Sequence, residues 1–261
     1  MGNLNRVKEK IARGEPVIGV HSRCCDSEMV ELMAACGNDF IWIEGEHSSL
    51  DKQNFKMHIM AAQARGAAAF VRVPWNDPVL VKPILEMGPD GIVFPMVRTA
   101  DEARRAVEAC QYPPKGIRGF GPQRAMNFGL MSTPEYLAQA DDSIWKIIQI
   151  EHWEAVQNLD EILEVPGVDA IVVGMMDLSG SVNKLAQLND PEVVGLMDAI
   201  AEKAARHNVP LGVSMSYNPE KIRYWIDKGI KWITAGADVE YICQGAKDTL
   251  EKVRAMFDNK N

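Results

Sequence analysis

Short apolar runs alternate along the chain with longer amphipathic stretches. The runs are PVIGV from Pro16, DFIWI from Asp39, AAFVRV from Ala68, GIVFPMV from Gly91, WKIIQI from Trp145, DAIVVG from Asp169, VPLGVS from Val209 and KWITAG from Lys231. Each is short for a helix and too evenly apolar for a strand with one wet face, so each reads as a strand covered on both sides, as in a parallel sheet. Between them lie segments such as DSEMVELMAAC, DPVLVKPILEMG, ADEARRAVEACQY, PEVVGLMDAIAEKAARHN and NPEKIRYWIDKG. Their apolar positions recur at helical spacing, several open with Asp, Asn or Pro, and several close at Gly or Asn. Eight repeats of strand and helix predict a single (β/α)8 TIM barrel spanning residues 1–261. The main irregularity is YPPKGIRGFGPQRAMNFGLMSTPEY, a Gly/Pro-rich connection between the fourth and fifth strands. A loop of that length is expected to be functional.

A parallel barrel carries its chemistry at the C-terminal ends of its strands, where the βα loops converge. Those ends give His21 after the first strand, Glu44, Glu46 and His47 in IWIEGEHSSL after the second, and Arg72 at the third. They give Gln149 and Glu151 at the fifth strand and Asp177 after the sixth. Glu151 and Asp177 close strongly apolar runs on neighbouring strands. Two such carboxylates form an oxygen-donor site suited to Mg²⁺ or Mn²⁺, with water and substrate completing the octahedron. A strand-end carboxylate is about as often only a helix cap or an arginine partner, and Asp177 can also cap the helix beginning LSGSV. His152 should point away from the site by strand alternation.

Arg72 sits among apolar neighbours, and a buried guanidinium needs an anion. That anion is either Glu44 or Glu151 in an internal ion pair, or a substrate oxygen that gains negative charge. His47, just past its strand, is free to act as a base or to be merely solvated. His21, His58 and His207 read as structural or surface groups, and Met175 and Met176 as pocket lining.

Composition narrows the field. The chain is 47% hydrophobic with a formal net charge of −8 and no block of Lys or Arg, which disfavours nucleic acid and anionic membranes as partners. Cys24, Cys25, Cys36, Cys110 and Cys243 form an odd set without metal-ligand spacing, as expected of reduced thiols in the cytoplasm. No targeting segment and no apolar run of membrane-spanning length stands out. No strand candidate carries a lysine in its interior or at its C-terminal end, which disfavours imine chemistry. After the seventh and eighth strands SMSYNPE and AGADVEY offer only Gly236 as a phosphate cradle, so phosphorylated substrates are unsupported.

EGEHSSL, VRVPWNDP, VFPMVRTADEARRAV, YPPKGIRGFG, IIQIE and GMMDLSGS, in that order over about residues 15–240, resemble the HpcH/HpaI family of metal-dependent (class II) pyruvate aldolases. The resemblance implies a barrel of the phosphoenolpyruvate/pyruvate type that cleaves a 4-hydroxy-2-oxo acid to pyruvate and an aldehyde. It implies Glu151 and Asp177 as ligands of a divalent ion (Mg²⁺, Mn²⁺ or Co²⁺), and Arg72 on the ketone or enolate oxygen. It also implies Gln149 with the N–H groups near Met176 and Asp177 on the substrate carboxylate, and His47 as the proton-transfer base. Glu44 and Glu86 stand where the family usually has aspartates, the second of which orients the histidine, and the longer carboxylates are expected to be coadapted to a competent site. Gly174-Met175 replaces the usual Gly-Pro, and QRAMNFG looks like members acting on polyhydroxylated acids. The family implies a hexamer, a trimer of dimers, in which the helix over 240–258 is exchanged between subunits. The alternatives are a metal- and 2-oxoacid-binding protein with little turnover, or another enolate-forming carbon–carbon lyase.

Overall fold

The apolar runs become the eight strands of a closed parallel barrel in the computed structural model, which describes residues 2–258. The strands are β1 (Val17–Ser22), β2 (Phe40–Glu44), β3 (Ala68–Arg72), β4 (Gly91–Phe94), β5 (Trp145–Ile150), β6 (Ala170–Gly174), β7 (Leu211–Met215) and β8 (Trp232–Ala237), each paired with its sequence neighbours and β8 with β1. All eight expected runs are strands, shifted by a residue or two at most ends.

Alternation divides each strand between two cores. Phe40, Trp42, Phe70, Trp145, Ile147, Val172 and Trp232 fill the barrel interior, while Ile41, Ile43, Val71, Ile148 and Val173 face the surrounding helices. Gly212 is what admits Trp232, since a Cβ there would lie 2.1 Å from the indole. Two residues beyond the inward Trp42, Phe70, Ile147, Val172 and Gly212 come Glu44, Arg72, Gln149, Gly174 and Ser214. The period of two therefore lays polar residues over the aromatic interior at the barrel mouth.

A helix at Asn3–Ala12, absent from the sequence expectations, buries Leu4 and Val7 against the inner cluster. Its Asn3 side chain donates to the Ala67 carbonyl at 3.0 Å, so it covers the end where the strands begin. The long connection from Tyr112 to Tyr136 lies away from the barrel mouth. It follows the helix Ala100–Cys110, which returns from the mouth, and so it crosses the underside. There Arg124 donates to the Met87 carbonyl and to Gln63 Oε1, each at 2.7 Å, at the C-terminal ends of the helices Pro78–Leu85 and Lys52–Ala64.

The last helix runs over Asp238–Asp258, and Asp238 is its only buried residue. Val239, Ile242, Leu250, Val253, Met256 and Phe257 are exposed, and Ile18 on β1 is 46% exposed although it lies on a barrel strand. Among the described residues no helix is long and apolar enough to cross a membrane.

Candidate active site

Buried polar groups at the mouth converge on Arg72. Its Nε lies 3.1 Å from both Glu44 carboxylate oxygens, and its Nη2 also donates to Glu44 Oε2. Its Nη1 lies 2.9 Å from Glu46 Oε2 and 3.4 Å from Gln149 Oε1. The guanidinium stands 5.5 Å from the Trp42 ring centroid, which supports it from below. Of the internal partners expected for the arginine, Glu44 rather than Glu151 is the one it pairs with, and Glu46 is a second anion that sequence reasoning left without a role. Glu44 also accepts the backbone N–H groups of Glu46 at 2.8 Å and His47 at 3.0 Å. Burial pushes its carboxyl upward, but Arg72 and these donors outweigh burial and hold it below the usual range.

Glu151 faces the same cavity, 1% exposed, and accepts the Met96 N–H at 2.6 Å and the Gln149 side-chain amide. Met96 reaches it from a left-handed conformation at φ 57°, just after Pro95 ends β4. Such a conformation costs on the order of 1 kcal/mol in a non-glycine residue. Burial raises the Glu151 pKa to about 7, with the neighbouring Glu46 and Asp177 charges adding to the rise. Glu46 is likewise raised, first by burial and then by Glu44 and Asp177, against the pull of Arg72. Asp177 lies in the first turn of the short helix Met175–Ser181, exposed to the cavity beside Met176.

The donor set fits a hard divalent cation. The Asp177 charge disfavours the ionised form of Glu151, and a cation between them would remove that repulsion. Gly174 keeps the space open, since a Cβ there would lie 2.8 Å from Glu151 Oε2 and 2.9 Å from its Cβ. Among the described residues no group of three or more His, Cys, Asp or Glu side chains forms a closed metal cage. A two-carboxylate site would leave positions for substrate and water.

His47 lines the cavity with its side chain 57% exposed and Nε2 3.7 Å from Glu46 Oε2. Glu44 thus holds its main chain rather than its ring. Glu86, which the resemblance has orienting the histidine, lies away from the His47 of its own chain. It caps the C-terminus of the helix Pro78–Leu85, on the barrel face opposite His47, and its ion pair is with Arg118 at 3.4 Å. Among the described residues no hydrogen bond or ion pair joins it to His47. Lys146, inside β5, qualifies the statement about lysines, but its Nζ binds Asp169 at 2.8 Å and the Asp141 carbonyl at 3.0 Å, away from the cavity. His152 caps the helix Trp153–Gln157 through the Glu154 N–H, His58 contacts Ser22 Oγ at 3.2 Å and His207 pairs with Asp160 at 2.8 Å.

His21 was read as structural, and the structure places it in the cavity wall, 4% exposed, with Nε2 2.8 Å from Ser214 Oγ. Burial lowers its pKa to about 3, with Glu44 only partly offsetting, so the imidazole is neutral. Arg23, Ser216 and Glu240 complete that wall. The serines gave no motif, but the inward alternation of β7 marks Ser214.

Comparison with known proteins identifies relatives of this chain. Residues 18–244 match the HpcH/HpaI aldolase/citrate lyase family model. The chain is 36% identical to a 4-hydroxy-2-oxo-heptane-1,7-dioate aldolase of Salmonella paratyphi C over 93% of this chain and 92% of that protein. It superposes with a TM-score of 0.89 on an HpcH/HpaI aldolase/citrate lyase family protein from Burkholderia cenocepacia J2315, at 29% identity over 96% of this chain and 99% of that one. The citrate synthase SbnG matches with a TM-score of 0.86 and 27% identity over 96% of this chain and 98% of that one.

Proposed function

The chain belongs to the HpcH/HpaI aldolase/citrate lyase family and is a carbon–carbon lyase, and from that membership we propose that it cleaves a 4-hydroxy-2-oxo acid to pyruvate and an aldehyde. The observation that carries the reading is the buried Arg72 braced by Glu44 and Glu46 beside the Glu151 and Asp177 carboxylates. Cleaving a bond next to a ketone leaves an enolate, so the site must stabilise a new oxyanion. Glu151 and Asp177 would hold Mg²⁺, Mn²⁺ or Co²⁺, which supplies a Lewis acid for the ketone and carboxylate oxygens when bound.

Arg72 offers a second fixed positive charge to the enolate oxygen, and Glu44 and Glu46 keep the guanidinium from turning away. Gln149, already oriented by Arg72 and Glu151, and the N–H groups of Met176 and Asp177 receive the substrate carboxylate. His47 takes the proton of the 4-hydroxyl group as the C3–C4 bond breaks, and a proton then returns to C3 of the enolate. Pyruvate release from a panel of 4-hydroxy-2-oxo acids tests the proposal. Release that is lost with EDTA and restored by a divalent ion is expected, and release that persists in EDTA would contradict it. A second reading, a metal- and 2-oxoacid-binding protein with little turnover, is favoured by the exposed His47 ring, which Glu44 does not orient.

The same reading extends to assembly. The exposed apolar side of the Asp238–Asp258 helix and the uncovered Ile18 support a homo-oligomer, a hexamer built as a trimer of dimers, in which subunits exchange this helix. Glu86 lies across the barrel from its own His47, so it could orient an imidazole only on a neighbouring subunit. The five free cysteines fit a reducing cytoplasm. A monomeric mass in light scattering at micromolar concentration would contradict the assembly.

A further inference from the structure

One wall of the cavity takes no part in the lyase chemistry, and its hydrogen-bonding sense can be worked out. His21 on β1 and Ser214 on β7 meet through Nε2 and Oγ at 2.8 Å, and Ser216 Oγ donates to Glu240 Oε1 at 2.6 Å. All four residues line the cavity, together with Arg23, whose side chain is exposed. Glu240 is fixed here because the preceding Asp238 is buried and accepts the backbone N–H groups of Arg23 and Cys24 at 2.9 and 2.8 Å.

A neutral imidazole has one N–H and one lone pair. His21 Nδ1 is buried without a hydrogen-bond partner and lies 3.8 Å from Glu44 Oε2. A carboxylate there attracts a proton on Nδ1 and repels a lone pair, so the proton sits on Nδ1 and Nε2 becomes an acceptor. The Ser214 hydroxyl hydrogen is then committed to Nε2, as that of Ser216 is to Glu240. What remains toward the cavity is the lone pairs of both serine oxygens and the Glu240 carboxylate. Beside the donor Arg23, this wall offers acceptors, which a hydroxyl group can satisfy and a methyl or methylene group cannot.

Resting on the lyase reading above, we propose that His21, Ser214, Ser216 and Glu240 form a subsite for hydroxyl groups on the aldehyde half of the substrate, so that the enzyme acts on hydroxylated rather than plain aliphatic 4-hydroxy-2-oxo acids. Ser214 and Ser216 touch the substrate hydroxyl, while His21 is a positioning residue that sets the direction of the Ser214 hydrogen bond. Ser214 and Glu240 are half-buried, and an aliphatic analogue that displaces their water without supplying a donor is the poorer ligand.

The test runs the reaction in the direction of carbon–carbon bond formation, with pyruvate, a saturating divalent ion and either glycolaldehyde or propanal. The two aldehydes have the same number of heavy atoms and differ by a hydroxyl in place of a methyl. The wild-type enzyme is expected to favour glycolaldehyde at least tenfold in kcat/KM. Ser214→Ala should reduce that preference to threefold or less, and Ser214→Thr, which keeps the hydroxyl, should retain it. His21→Phe frees the Ser214 hydrogen to turn toward substrate and should erode the preference without abolishing turnover. Equal use of the two aldehydes by wild type, or an unchanged preference in Ser214→Ala, overturns the subsite. If C3 protons of pyruvate still exchange with solvent in that case, the lyase reading survives; if they do not, both fall.

Discussion

Shortening Glu44 by one methylene, Glu44→Asp, probes the structural centre of the site. The Glu44 carboxylate binds Arg72 Nε through both oxygens at 3.1 Å, bonds Nη2, and accepts two backbone N–H groups at 2.8 and 3.0 Å. An aspartate withdraws the carboxylate by about 1.5 Å, one carbon–carbon bond, and cannot keep both the guanidinium and the turn that carries His47. Giving up one of these charged contacts costs about 1.5–3 kcal/mol. At about 2–4 °C per kcal/mol for a chain of this size, the melting temperature should fall by roughly 3–12 °C. If the guanidinium follows by about 1 Å, turnover should drop on the order of 10²-fold. Thermal melts and kcat on one cleavable 4-hydroxy-2-oxo acid measure both. A tenfold rise in kcat, about 1.4 kcal/mol of recovered transition-state stabilisation, would refute the view that the glutamate is coadapted to this pocket.

Gly174→Ala places a Cβ 2.8 Å from Glu151 Oε2, and the displaced carboxylate should weaken binding of Mn²⁺ in a calorimetric titration by about tenfold or more, the scale on which orienting a ligand matters. Glu151 has a folded pKa of about 7, above its ordinary 4.5. Its contribution to stability is therefore complete below about pH 4.5 and is lost as pH rises through 7, a change on the order of 3 kcal/mol. Melts of metal-free protein between pH 5 and pH 8 should show this loss, which Glu151→Gln should flatten and added Mn²⁺ at pH 8 should reverse. Arg72→Ala should impair both pyruvate binding and turnover, whereas His47→Ala should lower kcat more than it weakens pyruvate binding; small and equal effects would place the site elsewhere. Borohydride should fail to trap substrate on the protein, because the buried Lys146 is tied to the underside of the barrel.

The barrel was legible because parallel strands covered on both faces leave uninterrupted apolar runs, and all eight survive in the structure. That Arg72, Gln149 and Glu151 line the cavity was legible because each stands at the C-terminal end of an apolar run, where the strands of a parallel barrel open at its mouth. That Glu86 lies away from its own His47 was not legible, because the sequence shows its neighbours but not which barrel face the end of its helix occupies. The face on which the Tyr112–Tyr136 connection lies was hidden for the same reason, as a segment entering a strand belongs to the underside. His21 and Ser214 were passed over because a lone imidazole and a lone hydroxyl carry no spacing signal. Only the inward period of two, with β7 brought beside β8 and β8 beside β1, makes them partners. The helix Asn3–Ala12 could have been found from the Leu4, Val7 and Ile11 spacing, which its polar surroundings masked.

The central claim is that Arg72, Glu151 and Asp177 together stabilise a pyruvate enolate. Proton magnetic resonance of pyruvate in D₂O, with the protein and Mg²⁺, tests it without requiring the aldehyde to be known. The C3 methyl signal should disappear at a rate that is proportional to protein, abolished by EDTA, and reduced at least 10²-fold in Arg72→Ala. A methyl signal that persists with metal-loaded wild-type protein, or exchange that is indifferent to EDTA and to Arg72→Ala, would contradict the account.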